Sequence, residues 1–205
     1  YDLALYYHWV GDFRNADSLY NLSLSIFRKT LREPTRDLAL TLNGCALIQS
    51  DWGNYTEAVK QFEEALNIID IKFGKKDDDY ASIMNNLAIT THSLNDLDKA
   101  EKYYLEAQKI FIEILGEKRT EVASTYNNLA FIYLDKNDYQ RAEENFIKSY
   151  NLKLELKGND HPDVGLALNN LGTVQFKIKN YKEAKEYFNK AVIQLNKTLP
   201  DVHAW

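Results

Sequence analysis

The sequence predicts an all-α chain of about five antiparallel helix pairs. Three observations lead there. The string Asn-Asn-Leu-Ala/Gly recurs at Asn85–Ala88, Asn127–Ala130 and Asn169–Gly172, 42 residues apart each time, and Asn43-Gly44-Cys45-Ala46 is a degraded copy one period earlier. Four more ladders keep the same period: Phe13, Tyr55, Leu97, Tyr139, Tyr181; Ala16, Ala58, Ala100, Ala142, Ala184; Tyr20, Phe62, Tyr104, Phe146, Phe188; and Ser23, Ala65, Ala107, Ser149, Ala191. Finally, 205 residues contain only 8 Gly and 3 Pro, too little turn punctuation for a β-rich fold. A period that fills the whole chain marks an array of stacked supersecondary units.

Each period reads as two helices. The second, B, carries apolar residues at offsets of three and four, as in Leu97, Ala100, Tyr104, Ala107 and Phe111, which is one face of a 3.6-residue helix. Small residues on that face let neighbouring helices approach. The first helix, A, carries Ile83, Leu87, Ala88 and Thr91 on one side, and Tyr126, Leu129, Ala130 and Tyr133 one unit later. Asp12, Asn54, Asp96, Asp138 and Asn180 precede the B helices and are suited to N-capping. Asn54 with Glu57, and Asn180 with Glu183, have capping-box spacing. One residue earlier stand Gly11, Gly53, Asn95, Asn137 and Lys179, where a left-handed residue ends the A helix; Lys179 carries some strain there. Gly74, Gly116 and Gly158 stop the B helices, with Arg32-Glu33-Pro34 and Pro200 replacing that Gly in the outer units.

The expected A helices are 1–10, 36–51, 79–94, 121–136 and 163–178. The expected B helices are 13–31, 55–73, 97–115, 139–157 and 181–198. The repeat units are then approximately 1–35, 36–77, 78–119, 120–161 and 162–199, and 200–205 reads as the start of a further helix. The acidic run Asp77-Asp78-Asp79 suits the N-terminus of an A helix.

Composition narrows the function. Lys plus Arg is 25 against 30 Asp plus Glu, a net charge of −5 with no basic block, which disfavours nucleic acid and anionic membranes as partners. No apolar run is long enough to span a bilayer. A single cysteine, Cys45, excludes an internal disulfide and replaces the ladder Leu as a small core residue. His8, His92, His161 and His203 show no metal-ligand spacing, and there is no phosphate loop or nucleophile motif. We therefore expect no enzymatic activity, no metal and no cofactor. His161, ahead of Pro162, reads as a helix starter. A cytoplasmic location is expected.

The Leu129, Ala130, Tyr133, Ala142, Phe146, Ser149 ladder, and its copy Leu171, Gly172, Ala184, Phe188, Ala191, resembles the tetratricopeptide repeat. The usual period there is 34 residues. The 42-residue period and the phrase His161-Pro162-Asp163-Val164 resemble the subtype found in kinesin light chain and its bacterial relatives. The resemblance covers essentially the whole chain. It implies a single right-handed α-solenoid over residues 1–205, with A helices lining a concave groove and B helices on the convex back. The charge on B helices, as in Asp98, Lys99, Glu101, Lys102, Glu106 and Lys109, agrees with that.

With the ladder Leu as reference, the helix A positions two and one before it, and two, five and six after it, lie opposite the apolar face. They are the candidate peptide-binding groove: Asn43 in the second unit; Asn85, Asn86, Ile89 and His92 in the third; Asn127, Asn128, Phe131 and Asp135 in the fourth; Asn169, Asn170, Thr173 and Lys177 in the fifth. Gly44, Leu47, Ser50, Asp51 and Phe176 fall in the same series. Asn offers a donor and an acceptor, which match the backbone of an extended peptide without demanding a sequence. The alternative is that the Asn side chains bond neighbouring helices and set repeat stacking. In the resembling family, groove Asn residues do the binding, which singles out Asn86, Asn128 and Asn170. That family's binders of acidic peptides also place Lys and Arg on the groove. Here Lys177 stands against Asp51 and Asp135, and Ile89, Phe131 and Phe176 offer apolar anchors instead. The expected function is a protein-interaction module for an extended peptide or partner helix. The alternative is a regulatory arm of a larger signalling protein or protease, since Tyr1 falls within an A helix and Asp201-Val202 echoes Asp163-Val164. The partner would then be an intramolecular domain. Self-association through the repeat ends is a third expectation.

Overall fold

The computed structural model describes residues 2–30 and 33–198. Expectations placed on Tyr1, Arg32, Pro200, Asp201, Val202 and His203 lie outside the described residues. Among the described residues there are ten helices and no strand: α1 (Asp2–Trp9), α2 (Phe13–Thr30), α3 (Arg36–Asp51), α4 (Tyr55–Phe73), α5 (Asp78–Ser93), α6 (Leu97–Leu115), α7 (Thr120–Asp135), α8 (Tyr139–Lys157), α9 (Pro162–Lys177) and α10 (Tyr181–Thr198). Odd-numbered helices are the A helices. Three of them begin one residue earlier than expected, at Asp78, Thr120 and Pro162. At α9 the ring Nδ1 of His161 accepts the Asp163 N–H at 3.1 Å, and Pro162 takes the first helical position, where its missing N–H costs nothing.

The chain forms two compact units, Tyr1–Ile114 and Leu115–Trp205. In the first, α1 packs on α2, α2 on α3, α3 on α4 and α4 on α5, and α3 also lies against α1 and α5. In the second, α7 packs on α8, α8 on α9 and α9 on α10. The ladders form the core of each. Ala16, Ala58, Ala100, Ala142 and Ala184 are buried, as are Tyr20, Phe62, Tyr104 and Phe146. Two glycines mark the closest approaches. A methyl group on Gly172 would lie 2.7 Å from the Phe188 ring, and one on Gly44 would lie 2.4 Å from Tyr20.

Every A-to-B turn uses one device. The N–H of Asp12, Asn54, Asp96, Asp138 and Asn180 reaches back five residues to the carbonyl of Tyr7, Gln49, Thr91, Tyr133 and Gln175, while the preceding residue is left-handed. This closes the last carbonyls of the A helix. Asn95, Asn137 and Lys179 adopt φ of 62°, 60° and 65° there, as their position required. Lys179 is the one without a side chain suited to that region.

The caps of the B helices divide by residue type. Asp12, Asp96 and Asp138 accept the N–H of Asn15, Lys99 and Arg141 at 3.1–3.2 Å. The capping boxes expected at Asn54 and Asn180 do not form. Asn54 makes no cap bond; its amide donates to Gln49 Oε1 at 2.9 Å. Asn180 donates to Gln175 Oε1 at 3.1 Å and to Glu183 Oε2 at 2.7 Å. Both glutamines occupy the same repeat position, filled by Tyr7, Thr91 and Tyr133 in the Asp-capped repeats. A Gln carbonyl recruits an amide donor, and Asn supplies one where Asp cannot.

The B-to-A loops carry an ion-pair ladder. Lys76 pairs with Glu113, Lys118 with Glu155 at 2.5 Å, and Asp160 with Lys197 at 3.2 Å, each pair 37 residues apart. The last copy has its charges exchanged. Where α3 and α5 begin, Arg36 pairs with Asp77 at 2.7 Å and with Asp79, and stacks 4.1 Å from the Phe73 ring centroid. Asp77 also caps α5, accepting the Asp79 and Tyr80 N–H groups at 3.0 and 3.3 Å. The acidic run is thus a helix start tied to the neighbouring repeat. Burial works to raise the Asp77 carboxyl, but the Arg36 guanidinium and these N–H groups outweigh it and hold the carboxyl below its ordinary range.

Candidate binding face on the A helices

In the first unit the candidate residues come from α3 and α5. The Asn86 Nδ2 donates to Asn43 Oδ1 at 3.1 Å, joining the two A helices. Ser50 and Thr90 share a hydroxyl contact at 3.0 Å, and Thr90 Oγ1 also donates to the Asn86 carbonyl at 3.1 Å. Asn43 and Asn86 are half-buried. Asn85 is placed otherwise: its Oδ1 is buried with no hydrogen-bond partner, so that atom is not offered to a ligand. Ile89 is 43% exposed. His92 is half-buried and engaged in an interaction, so it is not an open ring on the face.

In the second unit the same relation recurs between α7 and α9. Asn170 Nδ2 donates to Asn127 Oδ1 at 2.9 Å, and Asn127 Nδ2 lies 3.4 Å from Asn128 Oδ1. Asn169 is exposed, and its backbone carbonyl accepts Thr173 Oγ1 at 3.0 Å, which spends the Thr173 hydroxyl within its own helix. Phe131 corrects the sequence reading. It is half-buried and packs edge-to-face on the ladder residue Phe146, centroids 5.1 Å apart, so it completes core packing and is not an open anchor. Phe176 is exposed and touches Tyr181 at 5.5 Å. Lys177 and Asp135 are exposed, and Asp135 has a partner.

Gly44 also departs from expectation. It is buried against Tyr20 of α2 and contributes nothing to the face. A helical wheel separates the two sides of an isolated helix, but α3 is flanked by helices on two sides, and Gly44 lies against the preceding B helix. The Asn rungs and the Ser50–Thr90 contact follow from the same crowding. The signal of the rungs was present in the sequence as Asn pairs 43 residues apart, one more than the period.

Asp51, expected on the face, is held by His8 Nε2 at 3.2 Å. Cys45 is buried, and burial pushes its thiol up to about 12, so it stays neutral at physiological pH. Among the described residues, no three His, Cys, Asp or Glu side chains gather in a way that could hold a metal ion, and no helix is long and apolar enough to cross a membrane.

Helix hairpins of 42-residue period, tied by amide rungs along their A helices, define a helical repeat protein. The chain belongs to the tetratricopeptide repeat family, whose model matches residues 1–70, 53–113, 79–155 and 121–192. Among solved structures it is similar to BtubC (BKLC) from P. vanneervenii, at 30% identity and a TM-score of 0.83 over 99% of this chain and 82% of that one. It shares the fold of a Podosopora anserina protein of nearly identical TPR-like repeats, at 19% identity and a TM-score of 0.80 over 96% and 93% of the two chains. It also shares the fold of a Rap protein complexed with Competence and Sporulation Factor, at 17% identity and a TM-score of 0.79 over 96% of this chain and 53% of the other. No curated protein matches the chain.

Proposed function

We propose that this chain is a protein-interaction module that holds an extended peptide against its A-helix face. One observation carries the reading. In the Asn43–Asn86 and Asn127–Asn170 rungs each side chain spends only part of its hydrogen-bonding capacity on its neighbour. An amide offers two donors and two acceptor sites, so each half-buried rung retains a donor and an acceptor that are already fixed in place. A peptide backbone pairs with that arrangement without losing the ordering entropy of the receptor side chains. Ile89 beside the first rung supplies an exposed apolar contact. Two structures that share this fold are a Rap protein complexed with Competence and Sporulation Factor and a Rap conjugation gene regulator in complex with the Phr* peptide, which agrees with peptide capture by such helix arrays.

A second reading, a regulatory arm of a larger protein, draws on one point: the fold matches about half of each of these Rap chains. Sequencing the complete gene decides it.

The binding reading is tested with an array of random-sequence heptapeptides, split into acidic, basic and apolar sets. The best peptide is then titrated calorimetrically. Asn86→Ala is expected to weaken it by about fivefold, equivalent to one hydrogen bond of about 1 kcal/mol. An array with no saturable peptide, or a peptide indifferent to Asn86→Ala, Asn170→Ala and Ile89→Asp, would remove the proposal.

A further inference from the structure

One apolar series of the B helices is broken within the array. Phe27, Ile69, Phe111 and Leu195 fall on one 42-residue series, and the remaining member is Lys153 on α8. Ile69 and Phe111 are buried, at 0% and 3% exposure, and Lys153 is half-buried at the corresponding position. One turn further on, Leu31, Phe73, Leu115 and Leu199 align with Lys157. The last turns of α8 thus set two ammonium groups where the other B helices are apolar. α8 packs on both α7 and α9, so Lys153 lies within a formed junction of the second unit. A charge brought out of water at such a position is costly unless it is paired.

The negative charge nearby does not match the two ammonium groups. Asp163, in the first turn of α9, pairs with Lys157 at 2.5 Å. It is not a counter-charge added for Lys153, because Asp37, Asp79 and Glu121 hold the same position in the A helices that follow Phe27, Ile69 and Phe111. His161, whose Nδ1 lies 3.8 Å from the Asp163 carboxylate, adds another group that can only be neutral or positive. Among the described residues Lys153 forms no ion pair. Burial holds its ammonium below the ordinary lysine range. Asp163 works against that and Lys157 with it. Lys118 is the opposite case, since its bond to Glu155 holds its ammonium above the ordinary range.

We propose that Lys153 is a modification site, at which an acetyl thioester acetylates the side-chain amine. An amine attacks an acyl carbon only as the free base, and a half-buried ammonium without its own counter-ion gives up its proton more readily than a paired one. Lys153 Nζ attacks the thioester carbonyl. The new C–N bond forms, the C–S bond breaks, and the thiol leaves with the proton that the nitrogen loses. The product is a neutral amide. Its methyl group extends the side chain with apolar atoms at the position that Ile69 and Phe111 fill in other repeats, and Asp163 is left to Lys157 alone. Acetyl is the smallest carbon-bearing acyl group after formyl, which suits a position that is only half open. The inference does not depend on the peptide reading.

The test incubates the folded 205-residue chain with acetyl-coenzyme A at neutral pH and follows each lysine by mass spectrometry. Lys153 is expected to acetylate severalfold faster than Lys118. The ratio is expected to fall towards one in strongly alkaline solution, where both amines are free, and in urea, where the α8–α9 junction is lost. The chain acetylated at Lys153, purified from the mixture, is expected to melt above the unmodified chain. Lys153→Met, which supplies apolar atoms without the amine, is expected to melt higher as well. A folded chain in which Lys153 reacts no faster than Lys118 overturns the proposal. So does an advantage that survives in urea, since local sequence and not the folded junction would then set it. A melting temperature lowered by acetylation at Lys153 or by Lys153→Met also overturns it.

Discussion

Asn86 on α5 donates its side-chain amide to Asn43 on α3 across 3.1 Å, and that bond links successive A helices at the face proposed to receive a peptide. The rung is therefore part of the scaffold as well as of the face. In a double-mutant cycle, Asn43→Ala and Asn86→Ala should each lower stability and should couple by roughly 0.5–1.5 kcal/mol, the net worth of one hydrogen bond. Chemical denaturation measures it. Strictly additive losses would mean that the two amides do not act together.

Gly44 is expected to resist substitution more than Gly53. A methyl group at Gly44 meets the buried Tyr20 ring at 2.4 Å, whereas at Gly53 it meets nothing within 4 Å. Overpacking of this kind costs about 1–3 kcal/mol. At Gly53, where φ is +79°, the cost is the smaller strain of a left-handed alanine, of order 1 kcal/mol. Gly44→Ala should thus melt lower than Gly53→Ala, and the reverse order would contradict the packing of α3 on α2.

The ion-pair ladder predicts a rescue. Glu155→Lys sets two ammonium groups together at the Lys118 position and should lower the melting temperature slightly. Adding Lys118→Glu should restore it, since Asp160 and Lys197 already hold the exchanged arrangement at 3.2 Å. These are surface pairs, so the effects are small and shrink in high salt. A double variant less stable than the single one would show that the loop geometry, and not charge, sets the pair.

Arg36→Met should destabilise the first unit in a pH-dependent way. Asp77 keeps its carboxyl below the ordinary range in the folded chain, so the stability it contributes is present at neutral pH. It is lost as the pH falls through the lowered folded value. At neutral pH, leaving Asp77 without its guanidinium should cost about 1 kcal/mol, at the low end because Arg36 is partly exposed. In strongly acidic solution the melting temperatures of wild type and variant should converge. A gap that persists there would assign the loss to the Arg36–Phe73 stack.

Much of this structure could be read from the chain. The ladders place Ala58, Phe62 and their copies in the core because small and large apolar residues at offsets of four leave a helix only one buried face. The left-handed turns at Asn95, Asn137 and even Lys179 follow from repeat register alone. What escaped was the identity of neighbours. Gly44 and Phe131 lie on the side of the wheel opposite the ladder, yet each packs against a B helix, because an A helix is enclosed from more than one direction. Asn54 and Asn180 look like caps until Gln49 and Gln175 are seen to compete for their amides. The rungs and the exchanged ion pair were visible as spacings of 43 and 37, but a spacing becomes a contact only when the angle between successive helices is known.

The A-helix face as a peptide receptor is tested most directly at Ile89, which is exposed beside the Asn43–Asn86 rung. The measurement is a calorimetric titration of the array-selected peptide into wild type and Ile89→Asp, with a melting curve for each. The account predicts roughly tenfold weaker binding, about 1.4 kcal/mol, with an unchanged melting temperature. Equal affinity for the two proteins would contradict it.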